Sequence, residues 1–157
     1  MCFMASSINP ETCQHELVVY KLVEHYYKKK GLKQFASFIY LKKKFVYTLG
    51  ETATEPEFPF DLASELDYGI TKRGLYAYSR FRAAKRELDT CRNFGWKRTT
   101  MIKCVIPVGA RFYRNRRFSP EDGYEEEKAD LVCADTLKVV AYYRKGEWVE
   151  NNPGEQS

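Results

Sequence analysis

The sequence predicts an α+β domain, a curved, mainly antiparallel sheet of about six to eight strands packed on one main helix over residues 79–92. Three observations carry this expectation. Short runs rich in valine, tyrosine and phenylalanine recur along the chain between turn signals. Residues 79–92 give the clearest repeat of apolar residues at three- and four-residue steps. Most connections between the expected strands lack the crossover helix that a parallel βαβ unit needs.

The elements follow in order. Residues 1–16 read as an irregular arm. Residues 17–23, LVVYKLV, form a valine-rich run that reads as a buried strand, followed by a polar connection from Glu24 to Gly31. Residues 35–40 and 45–48 read as two more strands, separated by Lys42, Lys43 and Lys44 and stopped at Gly50. Residues 51–60 hold Pro56 and Pro59 among acids and read as a surface loop. Residues 60–66 fit a turn or two of helix, and Gly69 and Gly74 bracket a turn before a strand at 75–78. Ser79 reads as the N-cap of the helix, with Phe81, Ala84, Leu88 and Cys91 as its core stripe. Asn93, Phe94 and Gly95 end it. Residues 99–106 give the clearest strand, closed by a Pro107-Val108-Gly109 turn. Shorter strands are expected at 111–113, 131–133 and 137–143, with a charged loop over 114–128 and a turn at Lys145-Gly146 before Trp148. Residues 17–150 are therefore expected to be one domain, and 151–157 a disordered tail.

A chain of 157 residues, 44% apolar, with 12 Tyr and 10 Phe, is long enough to bury its own core. No run approaches the ~20 apolar residues of a membrane-spanning helix, and the first residues lack the basic and apolar segments of a signal peptide. The five cysteines are odd in number and form no C-x-x-C pair, which predicts reduced, mostly buried thiols and a cytoplasmic setting. Charge comes in blocks. Residues 20–48 hold eight lysines against Glu24, and residues 72–117 hold fourteen bases against Glu87 and Asp89. The acidic blocks at 51–67 and 118–130 carry six acids each, too few to neutralise the basic ones, so residual positive potential is expected on the surface.

The order of several short motifs resembles a known group. These are Met1-Cys2-Phe3, Val19-Tyr20-Lys21, Gly74-Leu75-Tyr76-Ala77-Tyr78-Ser79 ahead of a helix with Ala83-Ala84, residues 103–113 (KCVIPVGARFY), and Ala134-Asp135-Thr136-Leu137-Lys138-Val139. Together they resemble small uncharacterised proteins of Bacteroides-type gut bacteria and their bacteriophages. The resemblance spans residues 17–143. It implies a setting only, a phage-borne accessory or counter-defence protein acting in the cytoplasm of a bacterial host.

The function expected from the residues is non-enzymatic capture of an anionic ligand, either a nucleotide-type molecule or single-stranded nucleic acid. Arg82, Lys85 and Arg86 stand one helical turn apart, and Arg111, Tyr113, Arg114, Arg116 and Arg117 interleave guanidinium groups with a ring. Arginine forks match phosphate oxygens, and exposed rings such as Tyr76, Tyr78 or Tyr113 would stack on bases. No helix-turn-helix or zinc finger is present to enter a duplex groove. The plain alternative is a solvated basic face. Lys28–Lys30 and Lys42–Lys44 read first as residues that block edge pairing of strands, and only second as ligand contacts.

A protein–protein interface or virion component would use the same tyrosines and arginines, and a homo-oligomer belongs with that reading. An ADP-ribosyltransferase-like enzyme is the leading catalytic alternative, with Lys21, Ser79 and Glu125 or Glu127 in the required order. Cys13, His15 and His25 lack the spacing of a metal site, no phosphate loop or nucleophile elbow is present, and no cofactor or metal is expected.

Overall fold

The computed structural model describes residues 6–7, 9–26, 31–37, 45–58, 74–115 and 130–151. Among them are one helix, α1 (Phe81–Asn93), and eleven strands: β1 (Glu11–Thr12), β2 (Leu17–Tyr26), β3 (Gln34–Ser37), β4 (Val46–Thr48), β5 (Thr52–Thr54), β6 (Leu75–Tyr78), β7 (Thr99–Ile106), β8 (Arg111–Arg114), β9 (Leu131–Ala134), β10 (Thr136–Arg144) and β11 (Glu147–Val149). The pairings are antiparallel throughout, and the main path through the sheet runs β1-β8-β9-β6-β2-β7-β10-β11. The fold is α+β, with one mainly antiparallel sheet packed against one helix, as the residue pattern predicts.

β2 and β7 pair from Leu17↔Ile106 to Glu24↔Thr99 and form the centre of the sheet. Side chains alternate across a strand, so this register sorts them onto two faces. On one face Leu22 and Met101 meet α1, whose Ala83, Ala84, Leu88 and Cys91 are buried. Tyr78, Tyr113, Leu131, Cys133 and Phe58 complete that core. On the other face Val19, Val23, Ile102, Cys104, Ile106, Leu137 and Val139 form a second core with Phe35, Tyr47 and Leu49.

The second core is closed by an arch of chain. β2 forks at its outer edge, where Tyr20 pairs with Tyr78 of β6 while Val23–Tyr26 pair with β3. β10 forks likewise, with Thr136–Lys138 on β5 and Tyr142–Arg144 on β11. β3, β4 and β5 therefore carry the chain from the edge of β2 to the edge of β10. The turn between β4 and β5 is pinned where Gly50 (φ +86°) donates its N–H to the Val139 carbonyl at 2.9 Å, and the Val139 N–H donates to the Glu51 carbonyl at 3.0 Å. At the β10–β11 hairpin Lys145 and Gly146 both have positive φ, the two-residue turn whose twist matches that of the strands it joins.

Lys21 sits at the fork of β2. Its side chain shares the face of Val19 and Val23, and its Nζ donates to the Tyr76 carbonyl of β6, where the two strands diverge. The ammonium also stands 5.5 Å from the centre of the Tyr47 ring. A buried backbone carbonyl needs a donor, and here an ammonium replaces the strand N–H that the fork removes.

Several expectations are corrected. The arm over 1–16 is not wholly irregular, because Glu11 and Thr12 pair with Phe112 and Arg111, and the Cys13 N–H donates to the Ala110 carbonyl at 2.7 Å. The polar stretch after residue 23 continues β2 through Tyr26, since its backbone pairs with β3 whatever its side chains. Part of the expected loop at 51–60 is β5. Ser79 is not the N-cap: that position is Arg80, with no side-chain cap bond, and the Ser79 N–H donates to the Asp130 carbonyl at 2.7 Å. The expected helical turn at 60–66, the strand residues 38–40, and both lysine triplets lie outside the described residues. Cys13, Cys91, Cys104 and Cys133 are free and buried. Among the described residues no helix is long and apolar enough to cross a membrane.

Candidate nucleic-acid interface

The structure separates the residues expected to form one basic, aromatic surface. Tyr76 and Tyr78 share the sheet face under α1; Tyr78 is 6% exposed, Tyr113 only 1%, and Tyr76 packs against the same core. Tyr78 and Tyr113 are interior and leave the set of stacking candidates, while Tyr76 is half-buried under α1. Arg111 and Arg114 stand on β8, which β9 and β6 separate from β2, whereas α1 lies over β7, β2 and β6. Arg114 Nε pairs with Glu11 Oε2 at 2.8 Å, with its guanidinium 5.1 Å from the Phe112 ring centre. The Arg111 N–H donates to Asp135 Oδ1 at 3.1 Å. Arg116 and Arg117, like Glu125 and Glu127, lie outside the described residues.

The helix row does hold together. Arg82 and Arg86 are exposed, four residues apart on the solvent face, and Lys85 beside them pairs with Asp89 at 2.6 Å. This row leads to the end of the helix, where the accessible rings are found.

Phe94 caps the helix and Gly95 follows with φ +88°. The Gly95 N–H donates to the Arg92 carbonyl at 3.0 Å and the Trp96 N–H to the Cys91 carbonyl at 3.1 Å, the paired bonds of a Schellman turn. The Thr99 N–H then donates to the Trp96 carbonyl at 3.2 Å, so the turn is hydrogen-bonded into β7. Phe94 is 78% exposed and Trp96 53%. Arg92, Lys97 and Arg98 are exposed around them, and the sequence contains no acidic residue from 90 to 120. A fixed turn thus presents two rings amid three cations.

The residues had signalled the helix end but not this display. A detectable clue was two rings flanking a C-cap glycine within a long acid-free stretch. An alanine Cβ at position 95 would meet nothing within 4 Å, so Gly95→Ala carries only the cost of left-handed backbone. It is expected to lower stability by about 1 kcal/mol, read as a shift in the urea midpoint.

A second aromatic group lies at the other end of α1. Phe81, 37% exposed, stands 5.6 Å from Tyr20, and 6.0 Å from both Tyr143 and Trp148 by ring centres. Tyr143 and Trp148 are 5.2 Å apart, and Lys103 Nζ lies 4.7 Å from the Trp148 ring centre. The edge-to-face and tilted angles between these rings suit their quadrupoles, and the cation sits where the ring face is negative.

Burial pushes the Cys104 and Cys133 thiols up to about 12, so both are protonated and poor nucleophiles at neutral pH. Lys21, the cation of the ADP-ribosyltransferase-like reading, has its ammonium committed to the Tyr76 carbonyl. Among the described residues no three His, Cys, Asp or Glu side chains are grouped to hold a metal. No protein-family model matches the chain, nor does any curated protein or solved structure.

Proposed function

We propose that this chain is a non-enzymatic binder of single-stranded nucleic acid, using a ridge that runs from Arg82 and Arg86 to the turn at 94–98. The exposure of Phe94 and Trp96 among Arg92, Lys97 and Arg98 carries this reading. Every base has a π-face, so rings beside cations hold a strand without reading its sequence. A turn already fixed by hydrogen bonds loses little freedom on binding. In the setting that the resemblance implies, such a protein would act in the cytoplasm of a bacterial host as a phage accessory or counter-defence factor.

Fluorescence anisotropy with a labelled oligothymidine of about twelve nucleotides tests the reading. With Arg82, Arg86, Arg92, Lys97 and Arg98 neutralising phosphates, log Kd is expected to change with log salt at a slope of about 3, which is about a hundredfold weakening between 50 and 200 mM. The double variant Phe94→Ala/Trp96→Ala is expected to lose about thirtyfold or more at fixed salt, since each stacked base contributes about 1–3 kcal/mol. A flat salt response would place the surface with protein partners instead. Unchanged affinity in the double variant would remove the stacking role.

A further inference from the structure

Resting on the nucleic-acid reading, we infer that the strand is held at two stacking platforms, Phe94 with Trp96 beyond one end of α1 and Phe81 with Trp148 at the other, and so occupies about four to six nucleotides.

The geometry supplies both the spacing and the path. α1 has 13 residues and so spans about 20 Å. A stacked strand advances about 3.4 Å per nucleotide and an extended one more, so about six stacked nucleotides, or about four extended, bridge that length. Residues 81, 85 and 92 fall on one flank of the helix by its 3.6-residue period, so Phe81, Lys85 and Arg92 line up between the platforms. The packing of Phe81 against Tyr143 and Trp148 turns that flank towards β10 and β11. Arg92 Nη2 reaches the Thr99 carbonyl at the start of β7, 3.5 Å away, which places it on the same side. Lys103 adds a cation at the far platform. A phosphate there would draw its ammonium off the Trp148 ring and free the face for a base. The partner is thus a short run of single strand rather than a free nucleotide, which would need one platform only.

The chain contains two tryptophans, Trp96 and Trp148. Trp96→Phe leaves Trp148 as the sole indole and keeps a ring at the turn, while Trp148→Phe does the converse. The experiment titrates both variants, and the unsubstituted protein, with oligothymidines of three, six and twelve nucleotides in low salt. The hexamer is expected to quench the emission of both sole indoles and to bind at least about tenfold tighter than the trimer, and the twelve-mer to add little further. Phe81→Ala is expected to weaken the hexamer about fivefold or more and the trimer less than about twofold. Because Phe81 also packs in the fold, the fluorescence of the two variants that keep it decides the matter should Phe81→Ala unfold. Quenching confined to Trp96, with no gain from trimer to hexamer, would overturn the two-platform path and leave the nucleic-acid reading standing. Failure of the twelve-mer to bind at low salt would bring down that reading, and the path with it.

Discussion

Gly74→Ala is expected to destabilise the protein by about 3 kcal/mol or more, with much of the loss recovered by adding Cys133→Ala. A Cβ built on Gly74 lies 2.0 Å from Cys133 Sγ, far inside any tolerable contact, while the Phe58 ring stands 3.5 Å from the same point and blocks retreat. Cys133 itself cannot yield. It is fully buried, paired with Tyr76 on one side and Tyr113 on the other, in the core beneath α1. The alanine must therefore displace β6 or β9 from its partner. Cys133→Ala alone removes one buried sulfur and is expected to cost about 1 kcal/mol. In the double variant the sulfur that caused the clash is gone, so the two effects are far from additive, with a coupling of about 3 kcal/mol in favour of the pair. Urea unfolding of the four proteins measures it. Additive costs would show that Gly74 serves its turn and not this close approach.

That result would also explain what the residues alone could disclose. Gly74 reads as a turn glycine, and nothing in its neighbourhood in the sequence names the thiol it must clear, because β6 and β9 meet only through long-range pairing. The legible elements were those whose signal is local. The TTMIKCVI run at Thr99–Ile106, three of the four residues of the helix stripe (Ala84, Leu88 and Cys91, with Phe81 instead exposed), the stop at Gly95 and the Lys145-Gly146 hairpin turn stand where their patterns place them. β1 and β5, of two and three residues, exist because β8 and β10 offer edges, which no local pattern encodes. The site was half legible for a related reason. Period two puts Tyr76 and Tyr78 on one face, but tyrosine suits either a core or a surface, and both faces of this sheet are covered. Phe94 and Trp96, which hydropathy would send inward, are held out by the geometry of the Schellman turn.

Thermal stability is expected to be greatest near pH 9, and Lys21→Met to erase the rise towards that maximum. Burial lowers the Lys21 ammonium to about 8 from its ordinary 10.5, with the nearby Cys104 and Cys133 opposing the shift. Between these values the unfolded chain holds a proton that the folded one has released, so stability rises with pH from 8 upwards, by up to about 1.4 kcal/mol per unit. Below pH 8 the folded protein carries the full cost of the buried charge, about 3 kcal/mol. The thiols act in the opposite sense. Unfolded, they ionise near 9; folded, Cys104 and Cys133 keep their protons to about 12, so stability falls above pH 9. Two thiols outweigh one lysine, and Tyr47, raised chiefly by burial, steepens the decline above pH 10. On the acid side His25, lowered chiefly by burial and next by Lys33, must gain a proton as the chain unfolds below its ordinary 6.5, which again favours the higher pH. Lys21→Met removes the buried charge but leaves the Tyr76 carbonyl without its donor, a cost of about 1–3 kcal/mol. Near neutral pH the two effects largely cancel, so a single melting temperature there decides nothing. The slope between pH 8 and 9 decides. It should be more positive in the native protein than in Lys21→Met, where the buried thiols alone leave a falling slope, and equal slopes would mean that this ammonium is solvated and not set into the fork of β2.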